Sequence, residues 1–207
     1  MAARNASAVP LLRFGSGDSE FGERILRSVD VEAFELFFSL LALIALGGSV
    51  AIVAARALRG RSATAAQIAD AVDDAALWIA FLVAATATAG SLYFSEVANF
   101  EPCRLCWYQR IAMYPLSLIL LVAAIRRDRS VRWFAGPLAA CGAMISTYHY
   151  LVEWHPSLEG SGVCELTAPC TFFWFREFGF VTLAFMALCG FLTILVLVIP
   201  PTRQEAR

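Results

Sequence analysis

Five stretches without a single Asp, Glu, Lys or Arg run along this chain, at 36–55, 75–95, 111–125, 133–152 and 178–202. Their lengths are 20, 21, 15, 20 and 25 residues. A hydrocarbon layer about 30 Å thick needs about 20 helical residues to cross it, so four of the stretches qualify directly. The third reaches full length only if its helix starts near Cys106, which brings Arg110 one turn inside the membrane edge. Five such runs joined by short polar links exclude an ordinary soluble enzyme, a disordered chain and a nucleic-acid binder. Long continuous apolar runs also exclude a transmembrane barrel, whose strands alternate lipid-facing and inward residues.

The fold class expected is therefore an all-α membrane protein, with helices near 32–55, 75–98, 106–125, 132–152 and 177–199. A polar tail, 1–30, precedes the first, with room for a short surface helix at 21–30, and it lacks the short apolar core and small-residue cleavage pattern of a signal peptide. All 16 basic residues are arginines. Arg56, Arg59, Arg61, Arg126, Arg127, Arg129, Arg132, Arg203 and Arg207 fall on one side of this layout, and Arg104, Arg110 and Arg176 on the other. The arginine-rich side is expected to be cytoplasmic, which puts the N-terminus outside and the tail 201–207 inside. Trp78, Trp107, Trp133, Trp154 and Trp174 all lie near expected helix ends, where an interfacial aromatic belt belongs. Pro115 and Pro137 fall within helices three and four, where membrane helices tolerate proline.

Of the six cysteines, Cys141 and Cys189 sit inside expected spans and read as small apolar packing residues. The other four share the outer side, a compartment that permits disulfides. Cys103 and Cys106 form a Cys-x-x-Cys in the segment EPCRLCWYQR, 101–110, where Pro102 is placed to begin a helix. Exposed amide N–H groups at a helix start, and nearby positive charge, favour a reactive thiolate. Arg110, four residues after Cys106, shares its helical face and is placed to stabilise a Cys106 thiolate or an electron-rich ligand beside it. Cys164 and Cys170 are spaced to close a short loop within the link 153–177, which Pro156, Gly160, Gly162 and Pro169 keep from being one helix. Two other readings of these cysteines stand beside redox chemistry. One is a pair of static disulfides bracing a membrane scaffold or transport component. The other is a metal site using the four cysteines and His149 or His155. The spans carry few mid-membrane polar groups, which is weak ground for transport.

The string Pro102-Cys103-Arg104-Leu105-Cys106-Trp107-Tyr108-Gln109-Arg110, directly after a membrane helix, resembles the bacterial disulfide bond formation protein B family. The arginine-rich turn at 126–132, Tyr148-His149 closing the next helix, and the second pair Cys164/Cys170 extend the likeness over roughly 75–200. The resemblance implies a four-helix transmembrane bundle over 75–200, leaving 31–56 as one extra N-terminal transmembrane helix. It implies an oxidoreductase of the bacterial inner membrane that reoxidises an extracytoplasmic thioredoxin-fold thiol oxidase and passes the electrons to a membrane quinone, ubiquinone or menaquinone. Cys103 and Cys106 would be the quinone-proximal pair, with Cys106 contacting the quinone. Arg110 would sit beside its ring, and His149, Tyr108 and Trp107 near it. Cys164 and Cys170 would be the partner-facing pair, Cys164 forming the mixed disulfide. No metal is implied. The extra helix and the close spacing of the second pair depart from the best-known pattern. Five spans also resemble bacterial relatives of vitamin K epoxide reductase, but the C-W-Y-Q-R string before the third span favours the first family.

Overall fold

A computed structural model describes residues 17–159, 164 and 169–199. The expected tail 201–207 and the first 16 residues of the N-terminal tail lie outside the described residues. The chain divides into two compact units, Met1–Phe34 and Glu35–Arg207. Five long helices carry the architecture: α1 (Gly17–Leu58), α2 (Ala63–Leu92), α3 (Arg104–Arg126), α4 (Arg132–Trp154) and α5 (Leu183–Val198). The described residues contain no β-sheet, only an isolated antiparallel bridge between Glu177 and Val181. Among the described residues, three helical stretches are long and apolar enough to cross a membrane: Asp30–Leu58, Ala63–Val97 and Arg104–Arg126. The chain is an all-α, multi-pass membrane protein.

Several boundaries differ from the sequence expectation, each for a local reason. The helix placed at 21–30 is not separate, because α1 runs unbroken from Gly17 through the first apolar run. α2 begins at Ala63 rather than near 75, with the Ser62 hydroxyl accepting a hydrogen bond from the Ala65 N–H. Its first turns hold Asp70, Asp73 and Asp74, which break the apolar pattern but not the helix. Asp73 is buried and pairs with both Arg56 in the last turn of α1 and Arg59 just after it. This earlier start leaves Trp78 well inside α2 rather than at its end. At the other extreme, α5 starts at Leu183 rather than 177, because Phe178 and Gly179 adopt left-handed backbone (φ 52° and 79°) in a tight turn closed by the Glu177–Val181 bridge. Thr182 then caps α5 by accepting from the Phe185 N–H.

α2 packs against α3 and α5, and α4 packs against α3 and α5. Small residues set the closeness of these contacts. Ala76, Ala80 and Ala84 of α2 and Ala135, Ala139 and Ala143 of α4 recur every fourth residue and are buried. Such stripes let membrane helices approach closely. Between them lie Leu116 and Leu120 of α3 and Phe191 and Ile194 of α5, all fully buried. Gly142 fits its crossing because an added Cβ would run into the Phe191 ring. Large apolar side chains such as Leu118, Ile125, Phe134 and Met144 are exposed on the outside of the helices, as a lipid environment allows. α3 and α4 run continuously through Pro115 and Pro137.

Candidate functional site

The turn before α3 places the first cysteine pair. Pro102 leads into Cys103, whose extended backbone (φ −66°, ψ 171°) makes it the N-cap of α3. Its Sγ accepts from the Cys106 N–H at 3.4 Å, and the two thiol sulfurs lie 3.1 Å apart as free cysteines. Cys103 is buried and Cys106 partly exposed.

Behind Cys103 stands a buried polar chain. His149 of α4 puts Nε2 3.6 Å from Cys103 Sγ, and its Nδ1 lies 3.3 Å from Gln109 Nε2. The Gln109 amide nitrogen only donates, so Nδ1 accepts and Nε2 carries the hydrogen that faces the sulfur. One turn further on α4, Glu153 places a carboxylate oxygen 3.9 Å from His149 Nε2. Its other oxygen accepts from the Thr182 hydroxyl at 2.6 Å. Gln109, His149, Glu153 and Thr182 are all buried. The Cys103 thiol is drawn down from 9.0 to about 4. The hydrogen bond from the Cys106 thiol is the largest cause; burial opposes it, and the hydrogen bond and charge of His149 and the Cys106 amide assist. The negative charge of the dithiol pair therefore rests on Cys103, at a helix N-terminus suited to hold it.

Arg110 lies on the other side of Cys106. Its Nη2 donates to the Ser91 carbonyl oxygen of α2 at 3.1 Å, and its guanidinium stands 5.2 Å from the centre of the Trp107 ring. Tyr114, one turn along, donates to the Ser91 hydroxyl at 3.2 Å. Cys106, Gln109, Arg110, Met113 and Tyr114 line a cavity of about 490 Å³ whose remaining walls are largely apolar. Arg110 also borders a second hollow of about 310 Å³, with Trp107, Glu96 and Asn99.

Cys164 and Cys170 are joined by a disulfide with Cα atoms 5.8 Å apart. Cys170 is fully buried and Cys164 partly so, and both join Cys103, Cys106, Leu105 and Val152 in one apolar cluster. The fold thus brings together two cysteine pairs separated by almost sixty residues. The disulfide withdraws Cys164 and Cys170 from a four-cysteine metal site, although Cys103, Cys106 and His149 still offer donor atoms within 4.8 Å of one another.

The residues singled out from the sequence divide among these places. Arg110 and Cys106 reach the large cavity; Trp107 reaches the second hollow. His149 lies behind Cys103, with Gln109 between it and the cavity. Tyr108 is exposed and borders neither hollow. Glu153 and Thr182 had no signal in the sequence, since one closes a helix and the other opens the next after a long link.

An all-helical membrane protein that holds a Cys-x-x-Cys thiolate against a second, disulfide-forming pair is a membrane thiol–disulfide oxidoreductase. Residues 73–200 match the family model described as "Disulfide bond formation protein DsbB". The chain belongs to this family, and is a quinone-linked thiol oxidase. It is 46% identical over 121 residues to "Probable disulfide formation protein C 1" of Bacillus anthracis, covering 58% of this chain and 87% of that one. To "Disulfide bond formation protein C" of Bacillus subtilis (strain 168) it is 45% identical over 120 residues, covering 58% and 87%. A "Probable disulfide formation protein" of Coxiella burnetii is 42% identical over 113 residues, covering 54% and 77%. No solved structure matches the chain.

Proposed function

We infer that the two cysteine pairs form a one-way relay from an extracytoplasmic thioredoxin-fold thiol oxidase to a membrane quinone, in the order Cys164, Cys170, Cys103, Cys106. The observation that carries this reading is the placement of the sulfurs. Cys164 is the more exposed of the outer pair, Cys170 and Cys103 share the buried cluster, and Cys106 borders the cavity.

In the first exchange a thiolate of the partner attacks Cys164 Sγ, breaking the Cys164–Cys170 bond and releasing Cys170 as a thiolate. The partner's second thiolate attacks its own sulfur in the mixed disulfide. The partner leaves oxidised, and Cys164 and Cys170 hold two more electrons. In the second exchange Cys170 attacks Cys103 of an oxidised Cys103–Cys106 pair, and Cys106 departs as a thiolate on the cavity side. Cys164 then attacks Cys170, restoring the outer disulfide and freeing Cys103 as the thiolate that Cys106, His149 and the helix terminus hold. Each step is attack by a thiolate on a disulfide sulfur, so the protein supplies alignment and control of charge. His149, through its Nε2–H, is placed to hold the Cys103 thiolate, with the Glu153 carboxylate behind the ring.

A quinone fits the large cavity, which offers apolar walls and, at one end, a thiol, an arginine and a tyrosine hydroxyl. When bound, it supplies the two-electron, two-proton acceptor that returns Cys103 and Cys106 to a disulfide. Arg110 would hold a ring oxygen through its guanidinium, where developing negative charge is best stabilised. The acceptor is ubiquinone or menaquinone.

The topology belonging to this reading has five spans, α1 to α5, with the N-terminus outside and the tail 201–207 cytoplasmic in the inner membrane. α1 is an extra helix before a four-helix thiol-oxidase domain over 75–200. The test is quinone reduction by the purified protein with a reduced thioredoxin-fold substrate. Cys→Ser changes at 103, 106, 164 and 170 are each expected to abolish turnover, and those at 141 and 189 to preserve it. Full turnover without Cys103 or Cys106 would overturn the relay.

A further inference from the structure

α1 precedes the family-matched residues 73–200, and those relatives cover little more than half of this chain. The structure nevertheless makes α1 one wall of the large cavity. Phe38, Leu41, Ala42, Ala45, Ser49 and Ile52 line it at helical spacing, opposite α2, α3 and α5. From Phe38 to Ile52 that wall extends about 21 Å at 1.5 Å per residue. At the Phe38 end, the ring packs edge-on to Phe94, 5.7 Å between centres, and fills the place a Cβ on Gly90 would need. At the other end Arg56 binds Asp73 and the carbonyl of Val196. In between, the Ser49 hydroxyl meets the Thr193 hydroxyl at 2.9 Å, tying α1 to α5.

These contacts hold α1 along its length, while the middle of its inner face is made of Ala42, Ala45, Gly48 and Ser49. Side chains this small leave the space beside α2 and α3 unfilled, and close packing is what a membrane helix pair ordinarily achieves. The void is continuous with Cys106 and Arg110, since one cavity touches all of them. It also reaches the surface, because Ile44 and Gly48 line it and are exposed. A groove that is elongated and apolar, charged at one end and open to the lipid side, matches an amphiphile with a polar ring and a long hydrocarbon chain.

We propose that α1 forms the binding wall for the prenyl tail of the quinone, so that this chain selects tailed quinones through a helix outside the family-matched region. This rests on the reading of Cys106 and Arg110 as the quinone head-group end. The tail buries its apolar surface against α1 and the facing residues of α2 and α5, and the head group is thereby positioned beside Cys106.

The test uses the full-length purified protein with menadione, a naphthoquinone lacking a tail, and menaquinone, its prenylated counterpart. Binding is read from quenching of tryptophan fluorescence, Trp174 being a lining residue, and from the quinone extracted with the purified protein. Ala45→Phe fills the groove. Gly48→Phe does so independently, and an added Cβ there meets nothing within 4 Å, so the helix accepts it. Each is expected to weaken menaquinone binding by at least about tenfold, the loss produced by about 1.4 kcal/mol, and to lower the copurifying quinone. Menadione affinity should remain within about twofold of the wild type. Equal weakening of both quinones, or of neither, would overturn the proposal. Loss of copurifying phospholipid with unchanged menaquinone affinity would assign the groove to an acyl chain and overturn it as well. Wild-type protein that bound neither of these quinones nor ubiquinone would instead remove the head-group reading, and the tail wall with it.

Discussion

Replacing Cys106 tests what holds the negative charge on Cys103. The Cys103 thiol falls from 9.0 to about 4, and the largest cause is the hydrogen bond from the Cys106 thiol, 3.1 Å away. A hydrogen bond to a charged acceptor contributes about 1.5–3 kcal/mol, and one pKa unit is worth about 1.4 kcal/mol. Cys106→Ala removes the donor and should raise Cys103 by about 1–2 units. Cys106→Ser keeps a hydroxyl donor on the same helical turn and should stay near the wild type. The sign follows from the thiolate being the favoured form. It persists above the lowered value and is lost as pH falls through it, so the alanine variant loses it at higher pH than the serine variant. Ultraviolet absorbance of the thiolate, followed from pH 3 to 10 as a difference against Cys103→Ala, measures both curves. An ordinary thiol with a value of 9.0 would be only about 1% thiolate at pH 7, whereas Cys103 should be fully ionised there. Identical titrations of the alanine and serine variants would refute the donor role of Cys106, and a wild-type transition near 9 would refute the site's electrostatics altogether.

Four other outcomes follow from the same geometry. Arg110→Gln removes the charge at the cavity end, and should raise the quinone KM by about tenfold or more, the effect of losing one charged hydrogen bond, while exchange with the thiol partner is unchanged in a single-turnover assay. Gly142→Ala forces a Cβ against the Phe191 ring and should cost about 1–3 kcal/mol through overpacking, read as a lower midpoint of thermal denaturation in detergent. Asp73→Asn leaves Arg56 and Arg59 without their shared carboxylate, and should destabilise by about 3–5 kcal/mol, measured the same way. Cys189→Ala, at a buried site outside both cysteine pairs and not among the cavity-lining residues, should leave quinone turnover intact.

Much of this site was legible because its signals are local in sequence. Pro102 followed by Cys-x-x-Cys marks a helix start, and the structure makes Cys103 the N-cap of α3. Arg110 follows Cys106 by one helical turn, and both reach the same cavity. Each of the five apolar runs overlaps one of the five long helices among the described residues. What escaped depends on partners distant in the chain. Asp73 looks like a boundary until Arg56 at the end of α1 and Arg59 just after it neutralise it, inside an α2 that starts earlier than expected. Glu153 and Thr182 look like ordinary link residues, and only their hydrogen bond joins them to His149 and Cys103. The late start of α5 hinges on the left-handed turn at Phe178 and Gly179, which an uncharged run cannot announce. α1 is the sharpest case. Its apolar run declares a span, but the small residues that make it a cavity wall acquire meaning only opposite α2, α3 and α5.

The relay stands or falls on the step between the two pairs, where Cys170 and Cys103 share one buried cluster. In a Cys106→Ala, Cys164→Ala double variant, mild oxidation with diamide should join Cys103 to Cys170, recovered as one crosslinked peptide by mass spectrometry without reduction. It should form faster than the Cys103–Cys164 bond in the companion Cys106→Ala, Cys170→Ala variant. Faster formation of Cys103–Cys164, or no bond from Cys103 to either outer cysteine, would contradict the relay.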